Sequence, residues 1–330
     1  MTVAKSAEGW TLPVGCETAS WVVSVADPSG IPASEQRSIW LKSGWGIVTD
    51  PSAILRLEGF GGKAQLRFIG PRGVGADAHL PPLNSAPGIY VIGEPPMWVG
   101  NDGRQALVYA GDDLGQVDPS AHLAGLAYLR GVIGPDHLRQ IPVLTVVLLG
   151  IERSAGSVGG AAGHQAVVVN YILPDAHSTA EEALMPLVIV LHEQFHQLVS
   201  GNLPLWASES LAQYYGLKTL GRIGVDRAAA STLSHREFSA GSAGPGLTAV
   251  QDQVQAGDGS NYALFYSKGV AFWHRVDLAI QSGGAGSLDD LMPTLVGAGF
   301  APDGSLPKAA IDHLPPLTRE RIRGIEREFL

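Results

Sequence analysis

The chain has 330 residues, with 31 Asp and Glu against 22 Lys and Arg and a formal net charge of −9. That acidic balance excludes non-specific nucleic-acid binding and anchoring on anionic lipid as default functions, and 45% hydrophobic against 16% charged residues excludes a disordered chain. One cysteine, Cys16, excludes an internal disulfide framework, a cysteine-built zinc finger and an iron–sulfur site; it reads as a small lone hydrophobe.

The first third reads as β-rich. Short runs at 19–25, 38–41, 53–58, 64–69, 88–92 and 105–110 are rich in Val, Ile, Trp, Tyr and Leu. Turn clusters such as Asp27-Pro28-Ser29-Gly30 and Asn101-Asp102-Gly103 separate them, a spacing that fits a sandwich or barrel. The pattern changes near Asp118, and two domains are expected, 1–117 and 118–330. Residues 121–133 have helical spacing, with Asp118 or Ser120 as cap. Residues 143–149 and 166–173 read as buried strands, and the Gly/Ser/Ala stretch 154–163 reads as a loop. From Ser178 helices dominate: Glu181 and Glu182 favour a helix start, and Pro186 is expected to divide a short leading turn from a main helix running to about Leu198. The longest apolar runs, 143–150 and 184–191, are too short to span a bilayer. The start of the chain lacks the apolar core of a signal peptide, so the protein reads as soluble, cytoplasmic as numbered and periplasmic or secreted if a leader has been removed.

Chemistry enters at His192-Glu193-Gln194-Phe195-His196, an H-E-x-x-H. Residues four apart on a helix project from one face, so the two imidazoles stand one turn apart, a spacing suited to two ligands of one zinc ion. Glu193 lies beside the metal position without binding it, where a carboxylate serves as general base and then acid. A third ligand is needed. The segment 205–215 (LWASESLAQYY) reads as a second helix after a turn at Gly201 to Pro204, and its Glu209 is the candidate. Gln213, one turn after Glu209, is placed to orient a ligating imidazole.

At these residues the sequence resembles the gluzincin metallopeptidases, the glycyl aminopeptidase family first and the aminopeptidase N family more distantly. His192–His196 is similar to their zinc motif. Residues 205–215 resemble L-W-x-x-E-G-x-x-x-Y-Y, which carries the third ligand onto Glu209. Residues 262–291 resemble a Y-x-K-G helix followed by D-L-x-I and G-G-x-x-S-L-D-D-L. The resemblance spans about 118–295 and implies an α+β chain: a β-rich N-terminal domain followed by a thermolysin-like zincin domain of small sheet plus helices. It implies one Zn2+ ion, a peptide or protein substrate, and Tyr266 as a donor to the oxyanion of the tetrahedral intermediate, a role a phenol suits. Three features depart from the pattern. The interval between His196 and Glu209 is short, Ser210 stands where a Gly is usual, and the stretch 159–164 (GGAAGH) lacks the acid that would meet a free amine. No counterpart of the family's terminal PDZ-like module is expected within the remaining residues 296–330.

Zinc-dependent peptide hydrolysis is the expected activity, with exo- and endopeptidase both open. The alternative is a catalytically weak zinc-binding member acting as a binding or scaffolding protein. His274 follows Tyr266 by eight residues and is a further candidate near the site. Lys268 and Asp277 are expected to make structural contacts, Asp289 and Asp290 to start a helix, and 319–328 to form a solvated terminal helix.

Overall fold

The computed structural model describes residues 4–6, 9–11, 20, 22–23, 25, 37–49, 54, 65–69, 75–81, 86–101, 106–141, 143–155, 158–164, 166–201, 203–239 and 241–330. Over these residues the architecture is α+β, β-rich first and helical after.

The first region holds β1 (Ala4–Ser6), β2 (Gly9–Thr11), β3 (Ile39–Trp40), β4 (Gly46–Thr49), β5 (Gln65–Ile69), β6 (Gly75–His79), β7 (Ile89–Ile92), β8 (Met97–Asn101) and β9 (Ala106–Ala110). Then come α1 (Pro119–Ile133), β10 (Val143–Ile151), β11 (Gly159–Ala162) and β12 (Ala166–Ile172). The helical region comprises α2 (Ala180–Leu198), α3 (Leu205–Leu220), α4 (Arg227–Phe238), α5 (Leu247–Gln255), α6 (Lys268–Ser282), α7 (Leu288–Ala298), α8 (Lys308–Ile311) and α9 (Pro316–Phe329). No helix among the described residues is long and apolar enough to cross a membrane.

The central sheet has the order β11-β12-β10-β9-β8. β9, β10 and β12 run parallel, and antiparallel β8 and β11 form the edges. Helix α1 makes the crossover that a parallel β9–β10 pair requires. Its start is well specified: Asp118 accepts from the Ser120 amide at 2.8 Å, and Pro119 occupies the first turn. Strands β8 and β9 precede position 117 while the other three follow it, so this sheet crosses the boundary read from the sequence. One face of the sheet packs on α1 and α2 through Leu107, Leu144, Val146, Val167 and Val169. The other face sets Val147, Leu149, Ala166 and Val168 against Ile39, Trp45, Ile47 and Ile89 of the small β3-β4-β7 sheet.

Three expectations are corrected, and a fourth, the strand at 53–58, lies almost wholly outside the described residues. Gly159–Ala162 is a strand, not loop, paired with β12 from Gly159↔Asn170 to Ala162↔Val167; small residues conceal a strand whose backbone pairing carries it. Pro186 lies inside an unbroken α2, whose capping box and buried run from Leu187 to Leu191 outweigh one lost hydrogen bond. The described residues among 19–25, namely 20, 22, 23 and 25, form no strand, and of 53–58 only Ile54 is described, outside any strand. Cys16 lies outside the described residues, and β1, β2, β4, β6 and β8 were not anticipated.

Candidate metal centre

Helices α2 and α3 build the site. At the start of α2, Thr179 accepts from the Glu182 amide at 3.2 Å and Glu182 returns the bond to the Thr179 amide at 3.1 Å. Arg153 grips Glu182 at 2.7 Å and Asp175 at 2.8 Å. Past this start the helix is apolar on nearly every side, which buries it. Helix α3 lies close against it because Gly216 faces Val188: a Cβ at 216 would stand 3.0 Å from the Val188 carbonyl oxygen. This contact brings the first turns of α3 opposite the last turns of α2.

The result is convergence. The Nε2 atoms of His192 and His196 are 3.1 Å apart. Glu209 Oε2 lies 3.6 Å from His192 Nε2, and Glu209 Oε1 lies 3.6 Å from His196 Nε2. Among the described residues this is the one cluster of three His, Cys, Asp or Glu side chains placed to hold a metal ion. Tetrahedral zinc with bonds of about 2.0–2.2 Å sets its ligand atoms roughly 3.3–3.6 Å apart. The two nitrogen–oxygen separations of 3.6 Å match that range, and the nitrogen–nitrogen separation of 3.1 Å lies just below it.

The far sides of both rings are occupied. His192 Nδ1 lies 3.1 Å from Gln213 Oε1, and His196 Nδ1 lies 3.1 Å from Ser208 Oγ. Gln213 Oε1 can only accept, so His192 carries its proton on Nδ1 and presents the Nε2 lone pair to the centre. Gln213 thus stands where the spacing expects it. Ser208 was not singled out, and its sequence signal is slight: a hydroxyl immediately before Glu209.

Glu193 sits under the edge strand. The Ala162 backbone amide donates to its carboxylate, and a Cβ on Gly160 would come within 2.9 Å of Glu193 Cγ and Oε1. Only glycine permits that approach. Tyr266, in the turn before α6, donates to Glu209 Oε2 at 3.2 Å, and its ring centre is 5.7 Å from that of His192.

Burial pushes Glu193 up to about 7, the charge of His192 opposing and that of Glu209 assisting. Burial and the adjacent His192 push His196 down to about 4. For Glu209 burial acts upward, but the bond to His192, both imidazole charges and the Tyr266 hydroxyl hold it down at about 2. Burial acts downward on His192, yet its bond to Glu209 and the charges of Glu193 and Glu209 leave it raised. Burial and the Glu209 charge raise Tyr266, keeping it a neutral donor.

His274 is corrected. It stacks on Phe238 with ring centres 4.5 Å apart, among the charges of Asp277, Lys218 and His235 rather than those of the centre. The departure at Ser210 has a local cause. Its hydroxyl donates to the Trp206 carbonyl at 2.5 Å and accepts from buried Trp273 Nε1 at 2.7 Å. Gly269 makes room for it, since a Cβ there would lie 2.4 Å from Ser210 Cβ. Lys268 donates to the carbonyls of Gly244 and Pro245 at 3.3 and 2.8 Å, a structural role.

No protein-family model matches the chain, and no curated protein sequence matches it. Among solved structures it is similar to the crystal structure of an aminopeptidase N family protein from Idiomarina loihiensis. The TM-score is 0.56 at 17% identity, over 85% of this chain and 58% of that one. The likeness is one of fold, and the chain spans a little over half the length of that neighbour.

Proposed function

We propose that the chain is a zinc-dependent peptidase of the gluzincin type, with a thermolysin-like catalytic region, hydrolysing peptide bonds in a peptide or protein substrate. One observation carries this reading: two imidazole nitrogens and a carboxylate converge at metal-ligand separations while Glu193 stands beside them, buried and unbonded to the cluster. The fold likeness to an aminopeptidase N family protein supports it.

A zinc ion held by His192, His196 and Glu209 would supply Lewis acidity, acidifying a water and polarising a carbonyl. The residues do the rest. Glu193, poised by burial near neutrality, takes a proton from the attacking water and passes it to the leaving nitrogen as the C–N bond breaks. The Ala162 amide fixes its carboxylate. Tyr266 donates toward the carbonyl oxygen as charge builds there. Gln213 favours the Nδ1–H tautomer of His192, and Ser208 holds the orientation of the His196 ring.

Strand β11 carries only Gly and Ala, so it offers no acid to a substrate amine. That favours a substrate range not confined to free N-termini over strict aminopeptidase action, and it motivates the second reading, a zinc-binding chain of weak catalysis that acts by binding. Metal analysis of protein purified without added metal, paired with cleavage of matched free and N-acetylated peptides, tests both. One zinc per chain with cleavage of both peptides is expected. Absence of bound zinc would overturn the metal reading; zinc without cleavage of any peptide would favour the second.

A further inference from the structure

Strand β11 contains only Gly and Ala, so it has no side chain longer than a methyl with which to fix its height over α2. It is also an edge, paired on one side to β12. Yet its height matters to the site. Gly160 lies against α2 so closely that a Cβ there would stand 2.6 Å from Ile189 Cγ2 and 2.9 Å from Glu193 Cγ. Ile189, Glu193 and Gln197 are four apart along α2 and share one face. The third of them reaches the same hairpin. Gln197 Nε2 donates to the Gly163 carbonyl at 2.8 Å and to the Ala166 carbonyl at 2.9 Å, the two sides of the connection from β11 to β12. Both N–H groups of its amide are thereby used.

The grip is reinforced from both ends. Ala166 also accepts from the Gly163 amide at 2.7 Å, so the connection is closed on itself where Gln197 holds it. Gln194 Nε2 donates to Gln197 Oε1 at 3.0 Å and sets the plane of its amide. Both glutamines are buried, and Gln194 Oε1 has no partner among the described residues. A bare buried acceptor costs stability, so stability alone does not account for the pair. We infer that Gln197 is a positioning residue: its amide clamps the β11–β12 connection to α2 and so sets the strand against Glu193, one turn back on the same helix. Its hydrogen bonds go to the connection and to Gln194, so it acts through the strand. The inference rests on the peptidase reading above.

The test uses the full chain as wild type, Gln197→Met, Gln197→Asn and Lys218→Ala. Methionine keeps the length and removes the donors; asparagine keeps the amide one methylene short. Lys218→Ala breaks an ion pair with Asp277 instead and serves as the control for lost stability. The His164 amide still bonds the Pro87 carbonyl at 2.8 Å, so the connection stays seated and the variants are expected to fold. Gln197→Met is expected to lower kcat for peptide cleavage about 10–100-fold with KM little changed. Zinc affinity, measured by competition with a chromophoric chelator, is expected to stay within about threefold of wild type, because the ligands keep their own supports. Hydrogen exchange of the β11 amides is expected to quicken about 10-fold. Gln197→Asn is expected to fall between wild type and Gln197→Met, and it carries the comparison if Gln197→Met melts below the assay temperature. Lys218→Ala is expected to leave kcat and β11 exchange near wild type. Unchanged kcat or unchanged β11 exchange in both Gln197 variants would overturn the inference. So would a parallel loss of zinc affinity, or an equal fall of kcat in Lys218→Ala. A wild type that cleaves no peptide would overturn the peptidase reading instead, and β11 exchange would still decide whether the clamp exists.

Discussion

Helix α3 carries two buried polar clusters, around Glu209 near its start and Lys218 near its end. At the second, Lys218 Nζ lies 2.7 Å from Asp277 Oδ2 and 2.7 Å from Asp289 Oδ1. Tyr214 donates to Asp277 at 2.6 Å, Tyr128 and Tyr215 donate to Asp289 at 2.9 and 3.2 Å, and the Leu288 amide closes the set on Asp277 Oδ1 at 2.8 Å. Every carboxylate oxygen there has a donor and the charge has a cation. At the first cluster two imidazoles and a carboxylate converge, Tyr266 donates to the carboxylate, and among the described residues no lysine or arginine is paired with them. Its carboxylates raise His192, drawing a proton toward the place a cation would fill. Buried polar groups that are mutually satisfied bind helices together; ligand atoms that converge with no cation among them suit a metal.

Four experiments can break or sharpen this contrast. The largest expected effect is at Glu193: Glu193→Gln is expected to lower peptide turnover about 10²–10⁴-fold while zinc content stays at one per chain, and equal turnover in both forms would refute the mechanism. Next is the satisfied cluster. Lys218→Ala leaves buried Asp277 and partly buried Asp289 without their cation and is expected to cost about 3 kcal/mol in denaturant unfolding, with zinc content unchanged in the protein that remains folded. A loss of zinc without loss of stability would mean the two clusters are not separate in role. Gln213→Leu is expected to weaken zinc binding about 10-fold, and Gln213→Glu to restore it, in the same chelator competition.

The smallest effect is a pH dependence of stability. Glu193 titrates at about 7 in the fold against 4.5 unfolded. The folded state therefore favours the protonated form, and stability falls as pH rises from about 4.5 to 7. Glu193→Gln removes that loss, so the metal-free variant is expected to melt roughly 5 °C above metal-free wild type at pH 8 and almost level with it at pH 4.5. A variant that melts lower at pH 8 contradicts the assigned burial.

The sequence made some of this legible and hid the rest for physical reasons. His192 and His196 could be read because four-residue spacing on a buried helix fixes their relation locally. Glu209 and Gln213 repeat that spacing on a second helix, but their meeting with the histidines depends on the close helix approach at Gly216, which resemblance supplied and local pattern did not. Ser208 and the Ala162 amide were out of reach: one is a common serine, the other a backbone group. His274 was misjudged because Tyr266 stands in the turn before α6, so eight residues do not span two turns of one helix. Glycine and alanine hid β11, since a strand held by pairing with β12 needs no β-favouring side chains. The alternation from helix to strand across 106–172 was broadly readable because apolar runs and caps mark it.

Gly160 has a consequence beyond the strand it belongs to. The clearance above Glu193 is a backbone's thickness, so a single added methyl would act as a shim, tilting the base from its place or lifting the strand off the cleft. That position behaves as a mechanical stop: a substitution there is expected to abolish the proposed hydrolysis while His192, His196 and Glu209 keep their separations.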